Sequence, residues 1–237
     1  MKIMVINPNS SVHMTDHLRD ALSPIAGADT ELTVVCPPNG PYAIESAYDE
    51  ALCAPGTLEL VRKANEEGFD AVILACFSDP ALEAAREISN ILVMGIAETA
   101  LHVASMMGFK YTILTLTDER IPHKFNDTRR FKLENSLASI RALGMSVAET
   151  DEDPERAKAA IKKVARDAAS EDRAEVIVLG CAGMAGYAEE VEHDTGILVI
   201  DPSSLTLKVT EAFVSAGMHM SKKGLYAVPP SILRSNH

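Results

Sequence analysis

Two of the four cysteines in this 237-residue chain close near-copies of one short sentence. Asp70-Ala71-Val72-Ile73-Leu74-Ala75-Cys76 runs acid, apolar stretch, small residue, thiol, and Glu175-Val176-Ile177-Val178-Leu179-Gly180-Cys181 does the same. The two thiols stand 105 residues apart, and other segments keep nearly that offset. Val5-Ile6-Asn7 answers Ile113-Leu114-Thr115 at 108 residues, and Ile91-Leu92-Val93-Met94 answers Ile197-Leu198-Val199-Ile200 at 106. Solenoid repeats have periods of roughly 20–50 residues, so a repeat this long is a duplicated half-domain. If the halves face one another, one thiol reaches a shared ligand from each side. A free thiol titrates near about 8.5, so a modest depression supplies one thiolate base and one thiol acid near neutrality. Placed on opposite faces of one carbon, such a pair removes a proton from one face and returns one to the other.

The surroundings of the two thiols fit that chemistry. Ser78-Asp79-Pro80 reads as a helix start, with Asp79 as N-cap and Pro80 at the first helical position. Cys76 would then lie just ahead of a helix N-terminus, whose dipole favours thiolate. Cys181 is followed by Ala182-Gly183-Met184-Ala185-Gly186, small residues that let backbone N–H groups approach a ligand and stabilise an enolate oxygen. A lone cysteine is more often a small buried hydrophobe, which suffices for Cys36 and Cys53 because neither has a repeat partner. His13 and His17 have a metal-like i, i+4 spacing. They fall off the apolar stripe Met14, Leu18, Ala21, Leu22 and Ile25, so the solvated-face reading outweighs a zinc site. No nucleophile elbow, GxGxxG, P-loop or pyridoxal-lysine context appears, and neither cofactor nor metal is expected.

The elements that would position these residues alternate apolar runs with longer amphipathic stretches, the pattern of a parallel α/β sheet. Strands are expected near Ile3–Ile6, Glu31–Val35, Ala71–Ala75, Ile91–Met94, Tyr111–Leu116, Met145–Ala148, Val176–Gly180 and Ile197–Ile200, four in each half. Helices are expected over Thr15–Leu22, Leu58–Asn65, Pro80–Ile88, Thr99–Met106, Phe125–Ala142, Pro154–Ala169 and Leu205–Ala216. The strands are rich in Val, Ile and Leu with little alternation, as when helices cover both faces of a sheet. The division is expected as 1–108 for a first lobe and 109–221 for a second, with 222–237 packing back on the first. In open parallel sheets ligands bind beyond the carboxyl ends of the strands. Asn7-Pro8-Asn9-Ser10, Cys76-Phe77-Ser78, Thr115-Leu116-Thr117 and Cys181-Ala182-Gly183 all stand there.

Composition narrows the partners. Hydrophobic residues at 47% and charged residues at 24% describe an ordinary globule able to bury a core. A net charge of −12 opposes binding to nucleic acid or an anionic membrane, and Arg129-Arg130-Phe131-Lys132 is too small to reverse that. No apolar run approaches the roughly 20 residues of a membrane span. Ile3 to Ile6 stops at Asn7-Pro8-Asn9, which is no export signal, and cysteines without CxxC spacing fit reduced thiols. The expectation is a cytoplasmic protein acting on a small molecule.

Four motifs in order carry a resemblance. Asn7-Pro8-Asn9-Ser10-Ser11, Gly40-Pro41-Tyr42-Ala43-Ile44-Glu45-Ser46, Ala75-Cys76-Phe77-Ser78-Asp79-Pro80 and Leu179-Gly180-Cys181-Ala182-Gly183-Met184 resemble the Asp/Glu/hydantoin racemases, in their hydantoin and allantoin racemase branch. The resemblance covers essentially the whole chain. It implies a cofactor-independent two-base mechanism, two pseudo-symmetric α/β lobes, each a short parallel four-stranded sheet flanked by helices, with the site in the cleft between them, and a homo-oligomer. Carried across residue by residue, it makes Cys76 and Cys181 the catalytic pair and sets Asn9, Ser78, Thr117, Ala182 and Gly183 along the substrate pocket. The branch acting on free glutamate or aspartate often has an acid in the first loop and Thr-His after the second cysteine. This chain has Asn7, Asn9 and Ala182-Gly183 instead, which suits a neutral cyclic imide whose C5 proton the ring carbonyls activate. Arylmalonate decarboxylases of the superfamily keep only the second cysteine, so Cys76 argues against decarboxylation. Hydantoin and allantoin are not separated by these motifs, and a non-catalytic small-ligand binder is the rival of another class.

Overall fold

The computed structural model describes residues 1–235 and divides the chain into two compact units. Asn236 and His237, the end of the expected C-terminal segment, lie outside the described residues. The first unit comprises Met1–Gly95 and the described residues from Thr206 onward; the second is Ile96–Leu205.

The first unit is built from β1 (Lys2–Ile6), α1 (Val12–Leu22), β2 (Glu31–Val35), α2 (Ala47–Glu66), β3 (Ala71–Leu74), α3 (Leu82–Ile88) and β4 (Leu92–Gly95). Its strands form one parallel sheet in the order β2-β1-β3-β4. Apolar strand residues meet helices across the sheet: Met4, Ile6, Val72, Leu74 and Val93 share a core with Val61 and Ala64 of α2 and Leu82 and Ala85 of α3. That unbroken apolar character is what parallel strands covered on both faces require.

The second unit contains α4 (Ile96–Met107), β5 (Tyr111–Thr115), α5 (Ile121–Arg130), β6 (Leu137–Ala142), α6 (Val147–Glu152), α7 (Pro154–Glu171), β7 (Val176–Leu179), α8 (Ala188–Thr195) and β8 (Leu198–Ile200). Helix α9 (Pro202–Ser215) crosses the division, and α10 (Pro230–Ser235) follows in the first unit. The second sheet is also parallel, in the order β6-β5-β7-β8, so it repeats the first strand for strand. The fold is thus α/β with two four-stranded parallel sheets flanked by helices.

The division falls after Gly95 rather than near Gly108. Helix α4 starts directly after β4 and packs against β7. Gly108 is a point of close packing inside the second unit, where a Cβ would lie 2.8 Å from Val176 Cγ2. In the C-terminal segment, Lys222 Nζ donates to the Arg86 and Glu87 carbonyls at 2.6 and 2.9 Å, and Arg86 Nη1 donates to the Tyr226 hydroxyl at 3.0 Å.

One stretch differs from its sequence pattern. The helix expected over Phe125–Ala142 stops at Arg130, Lys132 turns back with φ of +61°, and Leu137–Ala142 becomes the edge strand β6. Met145–Ala148, expected as a strand, instead leads into α6. Ser146 Oγ accepts from the Glu149 N–H at 3.2 Å while the Glu149 carboxylate accepts from the Ser146 N–H at 2.8 Å, a reciprocal cap that fixes a helix start. Helix α2 begins well before the expected Leu58. Ser46 caps it by accepting from the Asp49 N–H at 3.2 Å, and Pro55 is carried on the exposed side. Among the described residues no helix is long and apolar enough to cross a membrane.

Candidate active site

The carboxyl ends of the strands carry the residues singled out above. In the first unit β1 and β3 are neighbours, with Ile6 opposite Leu74, so the loops beginning at Asn7 and Cys76 leave adjacent strands. The first loop is heavily self-bonded. Asn7 Nδ2 donates to Asn9 Oδ1 at 2.8 Å and to Thr15 Oγ1 at 3.0 Å, and the Ser11 N–H donates to Asn9 Oδ1 at 2.9 Å. Asn7 and Asn9 are buried, so these bonds satisfy groups that would be costly to leave alone. The Ser10 N–H donates to the Pro41 carbonyl at 2.9 Å, which joins the Asn-Pro-Asn motif to the Gly40-Pro41 motif.

Cys76 is half-buried and opens a tight turn, closed by the Asp79 N–H donating to the Cys76 carbonyl at 2.9 Å. The Ser78 hydroxyl lies 3.5 Å from the Cys76 sulfur, and either atom can donate. Asp79 is not the N-cap expected from Ser78-Asp79-Pro80. It has φ of +46°, Ala81 at φ +60° precedes α3 without a side-chain cap, and the helix begins only at Leu82. The helix dipole therefore gives Cys76 no direct help, because the effect fades beyond the first turn.

In the second unit β5 and β7 are the corresponding neighbours, with Leu114 opposite Leu179. Gly180 passes so close to β5 that a Cβ would meet the Leu114 carbonyl oxygen at 2.5 Å, which accounts for the small residue before this thiol. Cys181 is half-buried and caps the short turn Ala182–Met184, its sulfur accepting from the Gly183 N–H at 3.4 Å. Ala182 is buried and Gly183 half-buried. Thr117 precedes the turn Asp118–Arg120, and its hydroxyl together with the Glu119 N–H holds the Glu119 carboxyl below its ordinary range, the N–H contributing more.

Two residues not singled out by the motifs belong beside these loops. Asp201, directly after β8, is buried and accepts from the Gly186 N–H at 2.9 Å, the Ser203 N–H at 2.9 Å and the Ser204 hydroxyl at 2.6 Å. Gly95, at the end of β4, lies against the buried Asp79 carboxylate. The signal for Asp201 was present: Asp-Pro-Ser-Ser after an apolar run is a helix start, whereas the amphipathic pattern alone began that helix at Leu205.

The family model described as Asp/Glu/Hydantoin racemase matches residues 3–210. The chain belongs to this family. It is accordingly an isomerase. Among similar curated proteins, a hydantoin racemase of Pseudomonas sp. (strain NS671) is 39% identical over 97% of this chain and 92% of its own length. A hydantoin racemase of Paenarthrobacter aurescens is 37% identical over 97% of this chain and 98% of its own. Among solved structures, allantoin racemase from Klebsiella pneumoniae superposes with a TM-score of 0.93 at 35% identity, covering 97% of this chain and 94% of that one.

Cys53 is buried on α2, its thiol donating to the Glu50 carbonyl at 3.2 Å. Burial, reinforced by neighbouring Cys76 and Glu50, pushes the Cys53 thiol up to about 12, so it stays protonated and serves as a small core residue. His13 is exposed on α1 and His17 half-buried. Among the described residues no group of three or more His, Cys, Asp or Glu side chains is placed to hold a metal ion.

Proposed function

We propose that this protein is a cofactor-independent racemase of 5-monosubstituted hydantoins, working by proton transfer at C5 between Cys76 and Cys181. The observation that carries the reading is the placement of both thiols two residues beyond the third strand of two sheets with identical strand order. Relatives named hydantoin racemase over nearly the whole chain support the substrate class.

In this mechanism one thiolate takes the C5 proton and leaves a planar enolate. The other thiol gives its proton to the opposite face, and the two sulfurs end with their protonation states exchanged. Reverse turnover or exchange with water resets them. The Gly183 N–H can only donate, so it favours the thiolate of Cys181 over the thiol, whereas the Ser78 hydroxyl accommodates either form of Cys76. The Ala182 backbone N–H stabilises the developing enolate oxygen. Asn9, Ser78 and Thr117 present neutral hydrogen-bonding groups to a neutral ring. The reading includes a cytoplasmic location, no nucleic-acid or membrane partner, and self-assembly, the last supported by exposed Tyr48 and Leu52 on one side of α2.

Allantoin, itself a 5-substituted hydantoin, is the second reading, favoured by the structural likeness to allantoin racemase. Decay of optical rotation distinguishes them on a panel of allantoin, benzylhydantoin, isopropylhydantoin and free aspartate. Fast decay with the benzyl and isopropyl compounds supports the first reading, and decay confined to allantoin supports the second. Activity on aspartate alone, or on nothing in the panel, overturns both.

A further inference from the structure

We propose that each thiol loop is held by one buried carboxylate acting as a positioning residue, Asp79 for Cys76 and Asp201 for Cys181, seated from opposite walls of the loop. The inference rests on the reading of Cys76 and Cys181 as the acid–base pair.

The first wall is Gly95. Asp79 and Ala81 both have positive φ, +46° and +60°, within five residues of Cys76. The left-handed region is uncommon for non-glycine residues; aspartate tolerates it, and alanine has no side-chain group to compensate. Such backbone persists only where the surroundings over-determine it. Here the determinant is the Asp79 side chain, about 1% exposed. Its carboxylate lies so close to the Gly95 Cα that a Cβ there would be 2.4 Å from Oδ2 and 2.6 Å from Oδ1. Gly95 is the seat, and any side chain on it evicts the carboxylate.

The repeat supplies an independent check. Moved by the 105-residue offset of the thiols, Asp79 corresponds to Met184; moved by the 106-residue offset of β4 and β8, Gly95 corresponds to Asp201. The acid has changed sides. In the second unit an apolar Met184 is buried in the thiol loop and the carboxylate rises from the end of the fourth strand. Asp201 Oδ2 accepts from the N–H of Gly186, whose φ is +84°, five residues beyond Cys181. Residues inherited merely as packing would match at equivalent positions. What the two units share is a carboxylate between the thiol loop and the fourth strand, reached by different residues. Proton transfer needs this precision, since a displacement of about 1 Å at a reacting group costs on the order of 100-fold in rate.

The test combines steady-state kinetics with peptide-resolved mass spectrometry of iodoacetamide labelling at Cys76 and Cys181. Gly95→Ala is expected to lower kcat at least about tenfold, with KM little changed, and to alter labelling of Cys76 several-fold but not that of Cys181. Asp201→Asn keeps acceptors for the Ser203 and Ser204 N–H groups and is expected to do the converse, altering Cys181 alone. The double variant Asp79→Gly/Gly95→Ala is expected to be no worse than Asp79→Gly, because glycine at 79 tolerates the backbone angle and vacates the seat. This comparison decides the matter even if Gly95→Ala fails to fold. Wild-type kcat and labelling in Gly95→Ala, parallel changes at both thiols in either single variant, or additive losses in the double variant overturn the proposal. Full activity in Cys76→Ser and Cys181→Ser would instead overturn the acid–base reading beneath it.

Discussion

The loops that carry Cys76 and Cys181 leave equivalent strands of equivalent sheets, yet they are built by different means. The first is a turn with two strained non-glycine residues, Asp79 and Ala81, whose thiol neighbours a hydroxyl that can donate or accept. The second is a short helical turn of small residues, entered through Gly180, whose thiol receives a fixed backbone N–H. Duplication explains the common placement of the thiols. The divergent surroundings fit the proposed two-base chemistry, in which one sulfur begins as thiolate and the other as thiol and the two exchange those states over a turnover.

The largest effect expected is loss of that division of labour. Cys76→Ser and Cys181→Ser should each reduce racemisation by about 10²–10⁴-fold, because an alcohol near neutral pH is a far poorer base than a thiolate. Each single variant should retain slow deuterium uptake on one enantiomer only, and the two should choose opposite hands. Proton NMR of both enantiomers in D₂O reads this directly. Uptake on both hands by one variant would mean that one base serves both faces, and the comparison between the loops would lose its chemical content.

The entrance to each thiol gives a second contrast. Gly180→Ala places a Cβ against the Leu114 carbonyl oxygen and is expected to cost about 1–3 kcal/mol of stability, as overpacking usually does. At the equivalent position Ala75→Gly loses only a methyl, with an expected cost of about 1 kcal/mol. Denaturant midpoints of the two variants measure the asymmetry. Equal costs would show that the strand spacing relaxes to admit the methyl group.

Much of this was legible in the sequence, and the part that was not has a physical cause. Seven of the eight expected strands coincide with observed ones to within about two residues, because buried parallel strands are continuous apolar runs. The eighth is expected at Met145–Ala148, whereas the strand lies at Leu137–Ala142; this β6 is an edge strand carrying Ser139 and Arg141, half-buried along its length, so its composition resembles one face of a helix. The repeat holds a signal that the apolar pattern lacks: Glu31–Val35 shifted by 106 residues falls at 137–141. The thiols stood out for the same reason, as matched ends of matched strands. Asp79 was misread because Asp-Pro is a common helix start, and only the close approach of Gly95 shows the aspartate in a left-handed turn. Asp-Pro-Ser-Ser marks Asp201 as a helix start, but its bond to the Gly186 N–H, fifteen residues back in the chain, is visible only in the structure.

The first loops extend the contrast at a smaller scale. Asn9 and Thr117 correspond at the 108-residue offset, but Asn9 is buried and accepts from both the Asn7 amide and the Ser11 N–H, whereas Thr117 is half-buried beside Glu119. Asn9→Ala should therefore lower stability by about 1–2 kcal/mol as well as kcat/KM, since two donors lose their partner. Thr117→Ala should lower kcat/KM with little effect on Tm. If thermal melts of the two variants fall together, Thr117 has a structural part that its exposure conceals.

The smallest effect concerns the sheet edges furthest from the thiols. In the first unit the edge strand β2 is joined to β1 by an exposed Lys2–Glu31 contact at 3.8 Å, a type of pair that contributes little. In the second unit β6 is clamped by Arg141, which donates to Asp172 Oδ2 at 2.6 Å and Oδ1 at 2.9 Å, with Ser139 on the same carboxylate at 2.5 Å. The Arg141 guanidinium, aided by the Ser139 hydroxyl, holds the Asp172 carboxyl below the usual range. A carboxyl depressed in the folded state contributes stability above its unfolded pKa of about 3.9, and that contribution disappears as pH falls through the lower folded value. Asp172→Asn should thus lower stability by about 0.5–1 kcal/mol near pH 7, at the upper end for a two-point partly screened pair. The difference from wild type should shrink as the pH is taken below 4, and Glu31→Gln should show almost none at any pH. Chemical denaturation at pH 7, 5 and 3 on both variants makes the comparison. A pH-independent loss in Asp172→Asn would assign the clamp to the shape of the side chain rather than its charge.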